Sequence, residues 1–144
     1  MEVKKIILFT LVTILIPLSC DISQYKRIGD TNFYLIPDWE DHGSYLSHSG
    51  GKPSGFYSIK HEGIVKDVYW NQQYLIIKCS KSEKEPVKYW YLLNNTEDYN
   101  WKMFEIRQFF NSIEYEKALD SIGVSESRMK HTDGKIPWSL HIFN

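Results

Sequence analysis

The chain has 144 residues, with 17 Lys and Arg against 18 Asp and Glu, 2 Cys and a formal net charge of −1. This length corresponds to one domain, and the near-neutral charge removes the electrostatic argument for nucleic-acid binding, which favours a basic stripe and a high pI. Two cysteines exclude a scaffold of several disulfides and a cysteine-only structural zinc site.

The N-terminus has the pattern of a targeting signal. Lys4 and Lys5 precede an uncharged apolar run at residues 6–18. A run of this length fits the core of a signal peptide and falls short of the ~18–20 residues that a helix needs to span a bilayer. Pro17 ends the helical stretch, because proline removes a backbone N–H group and restricts the residue before it. The sequence therefore predicts that residues 1–19 are a signal peptide.

The end of this leader, residues 16–20 (Ile-Pro-Leu-Ser-Cys), resembles the lipobox of bacterial lipoproteins, in which a small residue precedes the cysteine that becomes the lipidated N-terminus. The resemblance implies that Cys20 carries the lipid and holds the protein in a membrane of the bacterial cell envelope, since two or more acyl chains anchor a protein stably. An ordinary secretory signal beside an incidental cysteine is the alternative. Residues 20–30 are polar and are predicted to form a short tether.

Residues 31–144 are predicted to form a single β-rich globular domain. Runs of β-branched and aromatic residues alternate with clusters of Gly, Pro, Asn and Ser, which is the pattern of strands and turns. About six strands follow one another at intervals of roughly ten residues, which favours an antiparallel meander over βαβ units. The predicted strands are 32–36, 43–48, 55–60, 64–70, 74–79 and 87–93, and residues 71–73 form a tight hairpin turn.

Beyond residue 101 the apolar residues change their period. Those at positions 106, 109, 110 and 113 have the i, i+3, i+4, i+7 spacing of one helix face. The stripe continues through Leu119 and Ile122, and Gly123 is the expected end of the helix. A second, shorter helix capped by Ser112 is the alternative to one long helix. The apolar residues 136–143 are predicted to form a strand. It would lie at the edge of a sheet, because Pro137 lacks a backbone donor. The predicted fold class is α+β: an antiparallel meander with a C-terminal helical segment packed on one face.

The order of these elements has a second resemblance. The Tyr- and Trp-rich strands, the hairpin at residues 68–77 and the following Phe-containing helix resemble a family of small bacterial lipoproteins of unknown function. The resemblance covers most of the chain after residue 20. It implies the architecture just described, and no activity, cofactor or binding residue comes with it.

Cys79 is the first candidate for chemistry. It ends an apolar strand, and a nucleophilic cysteine would need a pKa lowered by a histidine or a helix N-terminus. His61 is available in the sequence, but no pattern places it nearby. A buried, inert thiol is the interpretation that the strand pattern favours. A disulfide with Cys20 is the alternative if Cys20 is not lipidated.

The densest polar cluster is residues 38–42 (Asp-Trp-Glu-Asp-His), which could supply oxygen ligands for calcium. Its spacing does not match an EF-hand, so a solvated turn after Pro37 is the simpler interpretation. Asp38, Glu40 and Asp41 are also the candidate carboxylates of the alternative function, a hydrolase.

The histidines and a glycine-rich loop suggest no further site. His48, His61, His131 and His141 lack the i, i+4 spacing of a zinc-protease helix, and residues 50–54 lack the spacing of a phosphate-binding P-loop. The sequence therefore predicts no metal and no cofactor.

Tryptophans are the remaining candidates for ligand binding, since their rings stack on sugars and anchor interfaces. Alternation along the strand places Trp90 on the face opposite Tyr89 and Tyr91. Core packing is expected to account for most of the five tryptophans, which are Trp39, Trp70, Trp90, Trp101 and Trp138. Trp39, Trp70 and Trp90 are the candidate ligand-binding residues.

Together, these features of the sequence predict a lipid-anchored, non-catalytic binding or interaction domain that is either periplasmic or surface-facing. Its partner would be a protein, a glycan or a peptidoglycan fragment, and not a nucleic acid. An inhibitor or immunity protein is one specific form of this hypothesis. An envelope hydrolase and a structural spacer without a ligand are the alternatives.

Overall fold

A computed structural model of the protein describes residues 25–38, 43–50, 57–95 and 105–136. The strands in these ranges are β1 (Lys26–Arg27), β2 (Phe33–Asp38), β3 (Gly43–His48), β4 (Tyr57–Ser58), β5 (Ile64–Trp70), β6 (Tyr74–Ser80), β7 (Tyr89–Asn94), β8 (Ile106–Phe109) and β9 (Lys130–Asp133). One α-helix, α1 (Ser112–Ser121), and a 3-10 turn, Glu126–Arg128, follow β8.

The strands form two antiparallel sheets. The first has the order β1-β2-β3-β4, and the second has the order β8-β7-β6-β5-β9. The predicted α+β class is confirmed, but the single meander of about six strands is wrong. The chain leaves the first sheet after β4 and begins a second one at β5, and β9 returns to pair with β5.

The hairpin between β5 and β6 is formed as predicted. Trp70 pairs with Leu75 across the strands. Asn71 closes the turn, because its backbone N–H donates to the Tyr74 carbonyl at 3.0 Å and its side-chain Oδ1 accepts the Gln73 and Tyr74 N–H groups at 2.8 and 2.7 Å. An asparagine that accepts from the next backbone groups is a common turn former, so this boundary is encoded locally.

The main core lies between the two sheets. It contains apolar residues from β2 and β3 of the first sheet and from β5, β6 and β7 of the second. The fully buried side chains among them include Phe33, Leu35, Leu46, Val68, Leu75 and Ile77.

A second, smaller core covers the opposite face of the second sheet. Ile76 of β6 and Leu92 of β7 pack there against Tyr115 and Leu119 of α1. Successive side chains of a strand point to opposite faces. Ile76 therefore belongs to this core while Ile77 belongs to the main one, and β6 is covered on both sides.

The helix begins later than its apolar spacing predicts. Residues 106–109 form β8, in which Ile106 pairs with Leu93 and Phe109 pairs with Trp90. Residues three apart on a strand lie on opposite faces, which is why Ile106 contacts the main core and Phe109 the second. The first part of the predicted helix face is therefore wrong.

Local signals define both ends of α1. Asn111, not Ser112, is the N-cap, because its side chain accepts the Glu114 N–H at 2.9 Å. Gly123 follows the helix with φ of 68°, the left-handed conformation that suits glycine at this position, so the predicted stop is confirmed.

Part of the predicted tether belongs to the first sheet. Lys26 and Arg27 pair with Leu35 and Tyr34, and Ile28 is fully buried in the main core. Short, polar strands such as β1 and β9 carry no apolar alternation, so the sequence pattern does not reveal them. The predicted strand at 136–143 lies outside the described residues except for Ile136, which is buried.

Burial of β6 on both faces can be tested with two neighbouring substitutions. Ile76→Ala and Ile77→Ala should each lower the free energy of unfolding by about 2–5 kcal/mol, because each leaves a cavity in a different core. The measurement is urea denaturation. Ile113→Ala is the control, since Ile113 is 63% exposed and should change stability by less than about 0.5 kcal/mol. A large loss for only one of the two core variants would contradict the two-core arrangement.

Candidate ligand-binding groove

An open groove lies at one end of the second sheet. It forms where the end of β5, the β5–β6 turn and the start of β9 meet the segment that links β1 to β2. Its volume is about 740 Å³. The lining residues are Arg27, Asp30, Thr31, Asn32, Trp70, Asn71, Gln72, Asn95, Arg128 and Lys130.

Asp30 connects the two sides of this groove. Its Oδ1 accepts the indole N–H of Trp70 at 3.3 Å, and the Lys130 ammonium lies 3.3 Å from its Oδ2. A hydrogen bond from its own backbone N–H and the hydrogen bonds from Lys130 and Trp70 together lower the pKa of Asp30. The carboxylate is therefore ionised at neutral pH, and both of its oxygens are engaged.

Trp70 contributes little exposed surface to the groove. The residue is 7% exposed and belongs to the main core. Gly29, with φ of 52°, lies so close that a Cβ atom there would be 2.5 Å from Trp70 Cζ2. The glycine is thus required both by its conformation and by the indole beside it. Trp70 remains a candidate ligand-binding residue, but its indole N–H is engaged by Asp30 and its small exposed area leaves little surface for stacking.

Cations outnumber carboxylates along the groove. Arg27, Arg128 and Lys130 are exposed, and Asp30 is the one carboxylate among the described lining residues. Arg27 is oriented by a 2.8 Å hydrogen bond from its Nε to the Thr31 carbonyl. Because Asp30 offsets only one of the three positive charges, the groove has an excess of positive charge and favours an anionic ligand.

Side-chain amides form the rest of the polar lining. Asn95 donates from Nδ2 to the Asn71 carbonyl, which ties the end of β7 to the β5–β6 turn. Gln72 lies exposed at the tip of that turn. Amides offer both donors and acceptors, so the groove can satisfy hydroxyl and acetamido groups as well as an anion.

The structure brings His61 next to Cys79, which sequence reasoning missed. The Cys79 sulfur lies 3.8 Å from His61 Nδ1, while the Leu46 N–H donates to His61 Nε2 at 3.0 Å. The neutral ring therefore carries its proton on Nδ1 and cannot accept the thiol proton there. Burial raises the pKa of Cys79 to about 12, so this pair is not an activated nucleophile.

The other histidines of the described ranges have structural contacts. His48 is fully buried, its Nδ1 accepts the Gly50 N–H at 2.8 Å, and its ring packs edge-on against Phe33. His131 lies 2.9 Å from Asp67. Within residues 25–38, 43–50, 57–95 and 105–136, no three His, Cys, Asp or Glu side chains are grouped closely enough to hold a metal ion.

Trp90 is half-buried and packs against the second core, on the face of the second sheet that α1 covers. Trp70 lies on the other face, in the main core. The Trp90 ring stacks on Tyr115 with centroids 6.0 Å apart. Beside it, Lys78 pairs with Glu126 at 2.7 Å and the Tyr115 hydroxyl donates to the same carboxylate. Burial and the Glu126 hydrogen bond raise the pKa of Tyr115. This cluster joins the 3-10 turn to the helix and the sheet.

Several sequence candidates lie outside the described residues. They are Cys20, Trp39, Glu40, Asp41, His42, residues 51–54, Trp101, Trp138 and His141. Of the three candidate ligand-binding tryptophans, the structure therefore locates Trp70 and Trp90, and it places them on different faces of the second sheet.

Sequence reasoning missed the charged residues that define the groove. Asp30 and Lys130 are separated by 100 positions in the chain, and neither occurs in a recognisable motif. Comparison of the chain with protein-family models, with curated proteins and with solved structures found no match.

The inert character of Cys79 can be tested by alkylation. Iodoacetamide reacts with the thiolate, and a pKa of about 12 leaves almost none of it at neutral or mildly alkaline pH. We expect no modification of Cys79 in the native protein and complete modification in concentrated guanidinium chloride, measured on the peptide that contains Cys79 by mass spectrometry. Rapid labelling of the native protein would show that the thiol is accessible and ionised.

The contribution of Glu126 to stability can be tested by removing its charge. Glu126→Gln keeps the shape but leaves Lys78 without its counter-charge, so the free energy of unfolding should fall by about 1–3 kcal/mol. Glu116→Gln on the exposed side of α1 is the matched control, with an expected change below about 0.5 kcal/mol. Equal, small effects from both substitutions would show that the cluster does not stabilise the fold.

Proposed function

We propose that the protein is a lipid-anchored binding domain of a bacterial cell envelope, held by Cys20 and binding its ligand in the groove at the Trp70 end of the second sheet. The leader at residues 1–19 and its resemblance to a lipobox support the anchor. The open, positively charged groove is the observation that carries the binding role, because residues from four separate parts of the chain converge on it.

The short segment between Cys20 and the first strand supports a domain that is held close to the membrane. Lys26, the first residue of β1, comes six positions after Cys20, and six residues span at most ~20 Å when fully extended. A domain lipidated at Cys20 would thus stay near the bilayer. Arg27, which lines the groove, belongs to this first strand, so the groove includes the part of the fold that follows the anchor. Among the described residues no helix is long and apolar enough to cross a membrane.

The charged residues of the groove favour a ligand-binding role over a hydrolase role for this site. Glycoside hydrolysis usually needs two carboxyl groups, one of them kept protonated by a raised pKa. The described lining contains one carboxylate, Asp30, and its pKa is lowered. Asp30 is therefore suited to orient Trp70 and Lys130, and not to act as a general acid.

The anchor is tested by the mass and location of the mature protein. Expressed in a bacterium that lipidates such leaders, the chain should begin at Cys20, carry diacylglycerol and sediment with membranes. Cys20→Ser should abolish the lipid and release the protein from the membrane fraction or leave it unprocessed. Cys79→Ala is the control for loss of a thiol and should leave both mass addition and membrane association unchanged. An unlipidated wild-type chain in the soluble fraction would overturn the anchor.

A further inference from the structure

We propose that the groove binds an acidic saccharide, with Arg27 and Arg128 as the partners of its acid group. This inference rests on the proposed binding role and adds the chemical class of the ligand. It follows from the charge of the groove, from the mixture of donors and acceptors along it and from its shape.

The positive charge of the groove is local. The whole chain has a formal net charge of −1, yet three cations line the groove against one carboxylate. Lys130 and Trp70 already engage that carboxylate, so Asp30 does not neutralise the two arginines. Arg128 has no ion pair with another described residue, and its exposed guanidinium can hold a carboxylate through two parallel hydrogen bonds.

The amide side chains distinguish a saccharide from a simple anion. An inorganic anion accepts hydrogen bonds and needs only donors, whereas sugar hydroxyls need donors and acceptors together. Gln72 supplies both kinds of group within the same groove as the arginines, Asn95 adds its side-chain oxygen as an acceptor, and Asn71, whose Oδ1 already accepts two backbone N–H groups, adds the donors of its Nδ2. Such a combination of arginines and amides in one groove matches an acidic amino sugar.

The shape of the groove favours the same ligand over a membrane surface. A volume of about 740 Å³ lies within the ~300–1,000 Å³ typical of small-molecule sites, which accommodates a disaccharide. A bilayer presents a broad, flat anionic surface and is bound by basic residues that protrude from a protein. Because Arg27 follows Cys20 by seven positions, a phospholipid headgroup is nevertheless the competing occupant that the experiment must distinguish.

The test is isothermal titration calorimetry on the detergent-solubilised, full-length mature protein. The first probe is the disaccharide of N-acetylglucosamine and N-acetylmuramic acid, whose lactyl group supplies one carboxylate. Diacetylchitobiose is the neutral counterpart, with the same acetamido groups and no acid. We expect the acidic disaccharide to bind about tenfold or more tightly than the neutral one, and this preference to decrease as salt screens the charges.

Substitution of the arginines identifies the site. Arg128→Gln removes an exposed charge that has no hydrogen bond or ion pair with another described side chain. The fold should therefore persist, and the affinity for the acidic disaccharide should fall about tenfold. Arg27→Gln should act in the same direction, although it also removes the contact with Thr31. Arg107→Gln is the matched control, because Arg107 is exposed on β8, pairs with Glu105 at 2.9 Å and does not line this groove. The control should leave the affinity unchanged.

Three outcomes would overturn the proposal. Equal affinity for the acidic and neutral disaccharides would remove the role of the acid group, and equal losses from Arg128→Gln and Arg107→Gln would remove the role of the groove. Tighter binding of glycerophosphoglycerol, a soluble phospholipid headgroup, than of the acidic disaccharide would assign the groove to the membrane surface. Each of these results would leave the lipid on Cys20 unaffected, whereas an unlipidated protein that still binds the disaccharide would contradict only the anchor.

Discussion

Burial of β6 on both faces is the constraint on which the rest of the structure depends. Ile77 and Leu75 pack toward the first sheet, and Ile76 packs toward α1. A strand covered on both sides needs a layer on each side, which here means the first sheet and the helix. The order β8-β7-β6-β5-β9 places this strand in the centre of its sheet, so loss of either layer would expose an apolar surface in the middle of the domain.

The groove is a consequence of this arrangement. With β6 in the centre of the second sheet, the end of β5, the turn at Asn71 and the start of β9 lie at the same end of that sheet. The first sheet supplies the segment between β1 and β2, which carries Asp30. The contacts of Asp30 with Trp70 and Lys130 then link the segment between β1 and β2 to β5 and β9 at that end. Because this carboxylate is already engaged by Lys130 and Trp70, Arg27 and Arg128 keep their charges unneutralised, and the groove stays positive.

Sequence reasoning succeeded where the signal is local. The hairpin of β5 and β6 follows from two apolar runs and an asparagine turn, and the end of α1 follows from Gly123, whose positive φ suits no other residue as well. It failed at residues 106–109, because a helix and a strand can both place apolar residues three positions apart. Only the pairing of β8 with β7 reveals that Ile106 and Phe109 face different cores.

By itself the sequence determined the α+β class, most strand positions, the central hairpin and the location of a buried Cys79, and it predicts a lipid anchor at Cys20. Tertiary structure alone decided that the strands divide into two sheets, that His61 lies beside Cys79 and that a cationic groove forms around Asp30. The physical reason is the range of the interactions. Turn chemistry and side-chain periodicity act over a few residues, whereas Asp30 and Lys130 meet across 100 positions only because the chain returns β9 to the edge of β5.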